Sequence, residues 1–403
     1  MKNVKSWGLS AVVATLLLAA CGGGDPDVPG SGSPAGAPTT KGTFTSVVSF
    51  GDSLSDIGTY APATSLAGNG TAPYFGGKFT TNDSVTGKVW VENLATSMGL
   101  LVTPAQVGFG ASSVPCPAAA NPALASTCTG YSQGGSRVTD PEGIGHHTST
   151  GALAALTVPV VTQIANHLAR FSSFKDSDLI LVWAGNNDVF MQFSAFATAA
   201  AQIQAQAAQG QITADQANAA LFQAQSNAQA AIKQAAIELA VLVRTQILAH
   251  GGKYVAVVNL PDSSETPFGR GVAAQSASAA KVLSDLCSLF NLWLNDGLTG
   301  QPVQIIDAFT LFKQVTANPA TFGFTNNTIP ACDAAKIQAV TQGQVTDGSS
   351  LFCNATTGAP YNTIRTGADV NTWQFADSVH PTTGGHKAIS DAFRAKLQAF
   401  GWI

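Results

Sequence analysis

Beyond about residue 43 the chain alternates between short apolar runs and longer stretches with helical spacing. The short runs are Thr45-Ser46-Val47-Val48-Ser49-Phe50, Leu179-Ile180-Leu181-Val182-Trp183-Ala184, Lys253 through Leu260, and Val303-Gln304-Ile305-Ile306. They are nearly continuous in apolar character and rich in β-branched residues, the pattern of strands buried on both faces, as in a parallel sheet. Between and around them, helical patterns cover Trp90–Met98, Val160–Phe171, a long Ala/Gln-rich region, Ala279–Trp293 and, last, about Gly385 to Phe400. Strands and helices in alternation predict a three-layer α/β/α sandwich with a mainly parallel sheet. Ligands of such sheets gather at the carboxyl ends of the strands, so the turns that follow the strands are where chemistry is expected.

The Ala/Gln region, about residues 195–234, is interrupted at Gly210, and Thr213-Ala214-Asp215-Gln216 has the form of a capping box. Two helices joined by a tight turn are predicted, the second gaining an apolar face only later, at Ile232, Leu239, Leu242, Val243 and Ile247. A solvated structural hairpin accounts for this insertion; a lid or membrane-facing flap is the functional alternative.

The first 20 residues combine Lys2 and Lys5 with an apolar stretch from Trp7 to Ala20, too short to span a bilayer in the ordinary way and suited to an export signal. Leu18-Ala19-Ala20-Cys21 resembles the lipobox of bacterial lipoproteins, which implies that Cys21 becomes the lipidated first residue of the mature chain; an ordinary leader cleaved near Ala20 is the alternative. In that family Gly22 next to the cysteine, rather than Asp, implies the outer membrane. Residues 21–42, largely Gly, Pro, Ser, Asp and Thr, read as a flexible tether, and residues 43–403 as one large domain of about 360 residues.

Composition narrows the classes of function. Charged residues are 10% and hydrophobic residues 45%, which excludes a disordered chain or a coiled-coil rod. A formal net charge of −4 leaves no basic face for phosphate backbones, so no nucleic-acid partner is expected. There is no phosphate loop, the six cysteines form no Cys-x-x-Cys clusters, and His146-His147 has no third ligand at a familiar spacing; no metal and no cofactor are expected. Cys116 with Cys128 and Cys332 with Cys353 each bracket a short loop, the simplest disulfide pairing for an oxidising compartment, while Cys287 lies in a helical pattern as a buried thiol.

Four segments carry candidate chemistry. Gly51-Asp52-Ser53-Leu54 follows the first strand and exposes a serine on a tight turn. Gly134-Gly135-Ser136 is a place where backbone can approach a ligand closely. Gly185-Asn186-Asn187-Asp188 ends the second strand, where a fixed side-chain amide can donate to an oxyanion. Asp377-Ser378-Val379-His380-Pro381 sets a carboxylate three residues before an imidazole, close enough to fix its tautomer and leave the other ring nitrogen free to take a proton.

In this order the segments resemble the GDSL, or SGNH, hydrolases, and Trp373 to Thr382 looks like the phospholipase and esterase branch. The resemblance implies the flavodoxin-like SGNH hydrolase fold, Ser53 as nucleophile, His380 as general base and acid, and Asp377 orienting His380. It implies an oxyanion hole from the Ser53 N–H, the Gly135 N–H and the Asn187 amide, with Gly134 able to stand in for Gly135. Gly130-Tyr131-Ser132-Gln133-Gly134 also satisfies the GxSxG elbow of the α/β-hydrolases, but no buried strand leads into it. The expected activity is an esterase or lipase acting through an acyl-enzyme on an ester with an apolar acyl or aromatic group, with Tyr60, Tyr74, Phe75, Phe190 and Phe193 as candidate walls. An acyltransferase or carbohydrate O-deacetylase using the same triad is the alternative enzyme; a surface lipoprotein that binds without catalysis is the alternative outside enzymes.

Overall fold

The structure, a computed structural model, describes residues 32–67, 76–83, 86–358 and 361–403. The export signal, Cys21, the first part of the tether, Tyr74 and Phe75 lie outside the described residues. The first half of the domain contains β1 (Ser46–Gly51), α1 (Ala61–Ala67), α2 (Trp90–Ser97), β2 (Gln106–Phe109), β3 (Ser112–Pro115), α3 (Val160–Phe171) and β4 (Asp178–Trp183). Then come α4 (Asn186–Ala208), α5 (Ala214–Leu242), β5 (Tyr254–Val258), α6 (Pro267–Gln275), α7 (Ala277–Gly297), β6 (Gln304–Ile306), α8 (Ala308–Ala317), α9 (Ala334–Val340) and α10 (Thr383–Ala399).

The four strands read from the apolar runs form one parallel sheet in the order β1-β4-β5-β6. A further extended segment lies on the other edge of β1. There the Ser49 N–H donates to Thr129 O (3.0 Å), the Tyr131 N–H to Ser49 O (2.8 Å) and the Gln133 N–H to Gly51 O (3.2 Å). The chain therefore leaves β1 toward one side and returns on the other side at β4, which opens a crevice at the carboxyl end of β1.

Alternation along each strand sends side chains into two cores. Val48, Phe50, Ile180, Val182, Val255 and Val257 pack under α3, α4, α5 and α7, whereas Val47, Leu179, Leu181, Trp183, Ala256 and Val258 pack under α2, α8 and α10. All six residues of β4 are buried, which is why every one after Asp178 is apolar. This is the three-layer α/β/α architecture expected.

The Ala/Gln region forms the antiparallel hairpin α4–α5. Thr213 Oγ1 accepts from the Gln216 N–H (3.2 Å) and Gln216 Oε1 from the Thr213 N–H (2.8 Å), closing the capping box. Ala228, Ile232, Ala235, Ala236, Leu239 and Ala240 are buried, while Phe222 nearer the turn is 62% exposed, so α5 docks by its later half. The hairpin β2–β3 was not anticipated; all of β3 is exposed and has no inward-facing pattern to detect. Among the described residues no helix is long and apolar enough to cross a membrane.

Residues 32–42 depart from the expectation of a free tether. The Ala35 N–H donates to Gln301 O (2.8 Å) and the Gly42 N–H to Trp402 O (2.9 Å). Gln304 Nε2 donates to Gly36 O (2.6 Å), Trp402 Nε1 to Pro38 O (2.6 Å) and Tyr254 Oη to Lys41 O (3.1 Å). The strap is held through its backbone by carbonyl groups and side chains of the domain, an attachment that its own Gly/Pro/Ser composition does not signal.

Candidate active site

The site is assembled at the crevice where β1, β4 and the edge segment end. At Gly51 a Cβ would sit 2.0 Å from Trp183 O, so β1 and β4 can approach this closely only because residue 51 is glycine. The next residue, Asp52, is buried; it accepts from the Leu54 N–H (3.1 Å) and from Asn186 Nδ2 (3.0 Å), tying the turn after β1 to the turn after β4. Burial pushes its carboxyl up to about 6, against the opposing effect of the Asn186 and Leu54 hydrogen bonds. Ser53 then opens a single 3-10 turn, Ser53–Ser55.

Although 327 positions apart, Ser53 Oγ and His380 Nε2 are 2.8 Å from one another. His380 Nδ1 lies 2.8 Å from Asp377 Oδ2 and 3.0 Å from Oδ1. The carboxylate also accepts from the N–H groups of His380 (2.7 Å), Val379 (2.9 Å) and Ser350 (2.8 Å). Burial by itself would favour the neutral acid, but the His380 ring and these N–H donors hold the Asp377 carboxyl well below the usual carboxylate range. A folded-state pKa below the unfolded 3.8 stabilises the fold above that pH, and this contribution is lost as pH falls through and below it.

The Cys332–Cys353 disulfide braces this turn. Cys332 N–H donates to Ala376 O (2.9 Å), and Cys353 closes the short turn that carries Ser350. The other expected bond, Cys116–Cys128, is also present, and Cys287 is a buried free thiol. With the linked cysteines 21 positions apart, replacing Cys332 and Cys353 together by serine should lower unfolding stability by about 3 kcal/mol. Denaturant melts measure this, and an unchanged midpoint would show that the link stabilises nothing.

Gly134 and Gly135 follow the edge segment. The Gly134 N–H is taken by Asp56 Oδ2 (2.8 Å), whose other oxygen accepts from the Gly58 and Thr59 N–H groups (2.9 and 2.7 Å). Tyr60 Oη donates to Gly134 O (2.8 Å). Gly135 has φ +80°, and a Cβ there would lie 2.1 Å from Ile144 O, so no other residue fits. Asn187, in the first turn of α4, spends one amide hydrogen on Ser136 O (2.8 Å), leaving the second without an acceptor among the described residues. The backbone N–H groups of Ser53 and Gly135 likewise have no acceptor there, although both residues are buried. Buried donors left open in this way suit an anionic ligand atom.

Other sequence candidates are placed elsewhere. Ser132 is buried in the edge segment with its hydroxyl 3.0 Å from Ser49 Oγ, and it sits on no strand-to-helix elbow. Phe193 is a core residue, 4% exposed, and with Phe190 packs against Phe268. Tyr60 is a buried support rather than a wall. The aromatic ring on the histidine is Phe79, missed in the sequence, with its centroid 4.8 Å from that of His380. Asp52 and Asp56 were also missed as supports; the partners that give them meaning are 78 and more positions away. The expectation that His146-His147 lacks a third ligand is corrected: Glu142 brings a carboxylate to the pair, all three donor atoms lying within 4.8 Å of one another. Glu142 and His146 stand at i,i+4, a spacing that brings side chains together on a helix, whereas this segment is irregular loop.

No curated protein matches the chain as a relative. The family model described as GDSL-like Lipase/Acylhydrolase matches residues 47–393, which include every segment of the crevice described above. With that match over most of its length, the chain belongs to the GDSL-like lipase/acylhydrolase family and is a hydrolase of esters.

Proposed function

We propose that the protein is a carboxylic ester hydrolase working through an acyl-enzyme on Ser53. The reading rests on the continuous hydrogen-bonded line from Ser53 Oγ through His380 to Asp377. Because Asp377 stays ionised, the His380 proton resides on Nδ1 and Nε2 is bare toward the serine. In the first step Nε2 takes the Ser53 proton as Oγ bonds to the ester carbonyl carbon, and the carbonyl oxygen becomes an oxyanion. Collapse of that intermediate breaks the bond to the leaving oxygen, which receives the proton from Nε2. Water repeats the sequence on the acyl-enzyme and frees the acid.

The oxyanion is assigned to the Ser53 N–H, the Gly135 N–H and the open amide hydrogen of Asn187. Gly135 is preferred to Gly134 because the Gly134 N–H is already given to Asp56. Asn187→Ala should therefore reduce turnover on the order of a hundredfold or more with the fold retained. Near-parental turnover in the folded variant would remove Asn187 from the mechanism.

Phe79 against the His380 ring supports an ester with an apolar acyl or aromatic group. Hydrolysis of p-nitrophenyl esters across acyl lengths tests both parts of the proposal. Absence of turnover with every chain length by folded protein would refute catalysis, and a flat dependence on length would refute the apolar preference. We also place the protein outside the cytoplasm, lipid-anchored at Cys21 in an outer membrane. Two disulfides agree with an oxidising compartment, and mass spectrometry of the mature amino terminus decides the anchor.

A further inference from the structure

We infer that Glu142, His146 and His147 bind a divalent transition-metal ion of the zinc class, which clamps the loop behind Gly135. The inference does not depend on the reaction at Ser53. It starts from the anchoring of His146. Its Nδ1 lies 3.2 Å from Ala155 O, which can only accept, so Nδ1 carries the hydrogen. Thr157 Oγ1 is also 2.9 Å from Nδ1, with its own hydrogen directed to Pro141 O (3.2 Å). A backbone carbonyl and a hydroxyl fixing one imidazole nitrogen is the outer support that a metal-binding histidine has.

Nε2, the nitrogen these contacts leave free, faces Glu142 Oε1 at 3.9 Å. A cation bound between them would be held by both groups. His147 Nδ1, 3.0 Å from Glu142 Oε2, adds a second imidazole to the same carboxylate. Two imidazoles and one carboxylate suit zinc, with water filling the fourth position.

The donors are within 4.8 Å of one another, and a tetrahedral ion with bonds of ~2.0–2.1 Å would draw them to about 3.3 Å. The groups that must move are the free ones. The Glu142 side chain is 60% exposed and that of His147 38%, against 21% for the anchored His146.

The ion would act on structure. Ile144, between the ligands, donates its N–H to Gly135 O (2.9 Å), on the carbonyl side of Gly135 and away from the N–H assigned to the oxyanion. Thr157, which supports His146, has φ +45°, a strained value for a β-branched residue, and its Cγ2 stands 2.8 Å from the position of a Gly135 Cβ. Closing Glu142 onto His146 and His147 would thus fix both ends of the turn that carries Ile144.

The test uses the full chain without a polyhistidine tag, stripped with a chelator and titrated with zinc alone against a chromogenic competitor. One equivalent should bind, the thermal midpoint should rise with zinc, and His146→Ala, His147→Ala and Glu142→Gln should each weaken binding by about a hundredfold or more. Circular dichroism identifies variants that are folded, and Glu142→Gln on the exposed side chain keeps the test decisive if a histidine variant is not. Binding that persists unchanged in the variants, or no stoichiometric binding by the parent, overturns the inference; Ser53→Ala should bind zinc as the parent does, so failure of the proposed hydrolysis leaves this result readable.

Discussion

Ser53→Ala should end ester hydrolysis, with turnover down on the order of 10⁶-fold, while the unfolding transition stays close to that of the parent. The hydroxyl has His380 Nε2 as its hydrogen-bond partner and fills no core position, so its removal deletes the nucleophile with little structural cost. The turn itself is held by Asp52 and Asp56, which the substitution leaves in place. A serine-directed phosphonate followed by peptide mapping provides the matching positive result, a covalent adduct on the peptide containing Ser53. An adduct on Ser132 instead, or hydrolysis that survives in Ser53→Ala, would move the nucleophile elsewhere.

Asp377→Asn should lower turnover by about 10⁴-fold with KM changed far less. The carboxylate can only accept, which keeps the His380 hydrogen on Nδ1. A carboxamide can present its NH₂ to that nitrogen instead, turning the ring into the tautomer whose hydrogen points at Ser53 and cannot take a second one. The same change weakens the acceptor for the N–H groups of Ser350, Val379 and His380, so a stability loss of about 1–3 kcal/mol should accompany it. Kinetics and melts on the same preparation separate the two effects. Turnover within tenfold of the parent would mean that Asp377 does not orient the ring.

The sheet was legible because burial on both faces leaves a direct trace. Leu179 to Ala184 contains no polar residue, and a run this short, closed by a glycine turn, fits a buried strand better than a buried helix. The triad segments were legible because each lies at the end of a strand or before a helix and has a distinctive local sequence. What was hidden depends on distant partners. Asp56 looks like an ordinary turn residue until Gly134 is brought to it, and Phe79 has no periodic neighbours to show that it meets His380. The strap at residues 32–42 contributes backbone N–H and carbonyl groups, which every sequence has, so composition alone read it as free chain. The hairpin β2–β3 pairs by backbone with little burial and carries no alternating pattern.

That strap also fixes the face of the domain from which the chain ahead of it departs. It joins the domain beside Gln301 and Trp402 and enters β1 at Ser46, whereas the serine stands beyond the opposite end of the same strand, about 20 Å away along six extended residues. A particle or surface holding the polypeptide ahead of residue 32 would therefore sit at the back of the molecule, and the catalytic mouth would look outward toward whatever diffuses past.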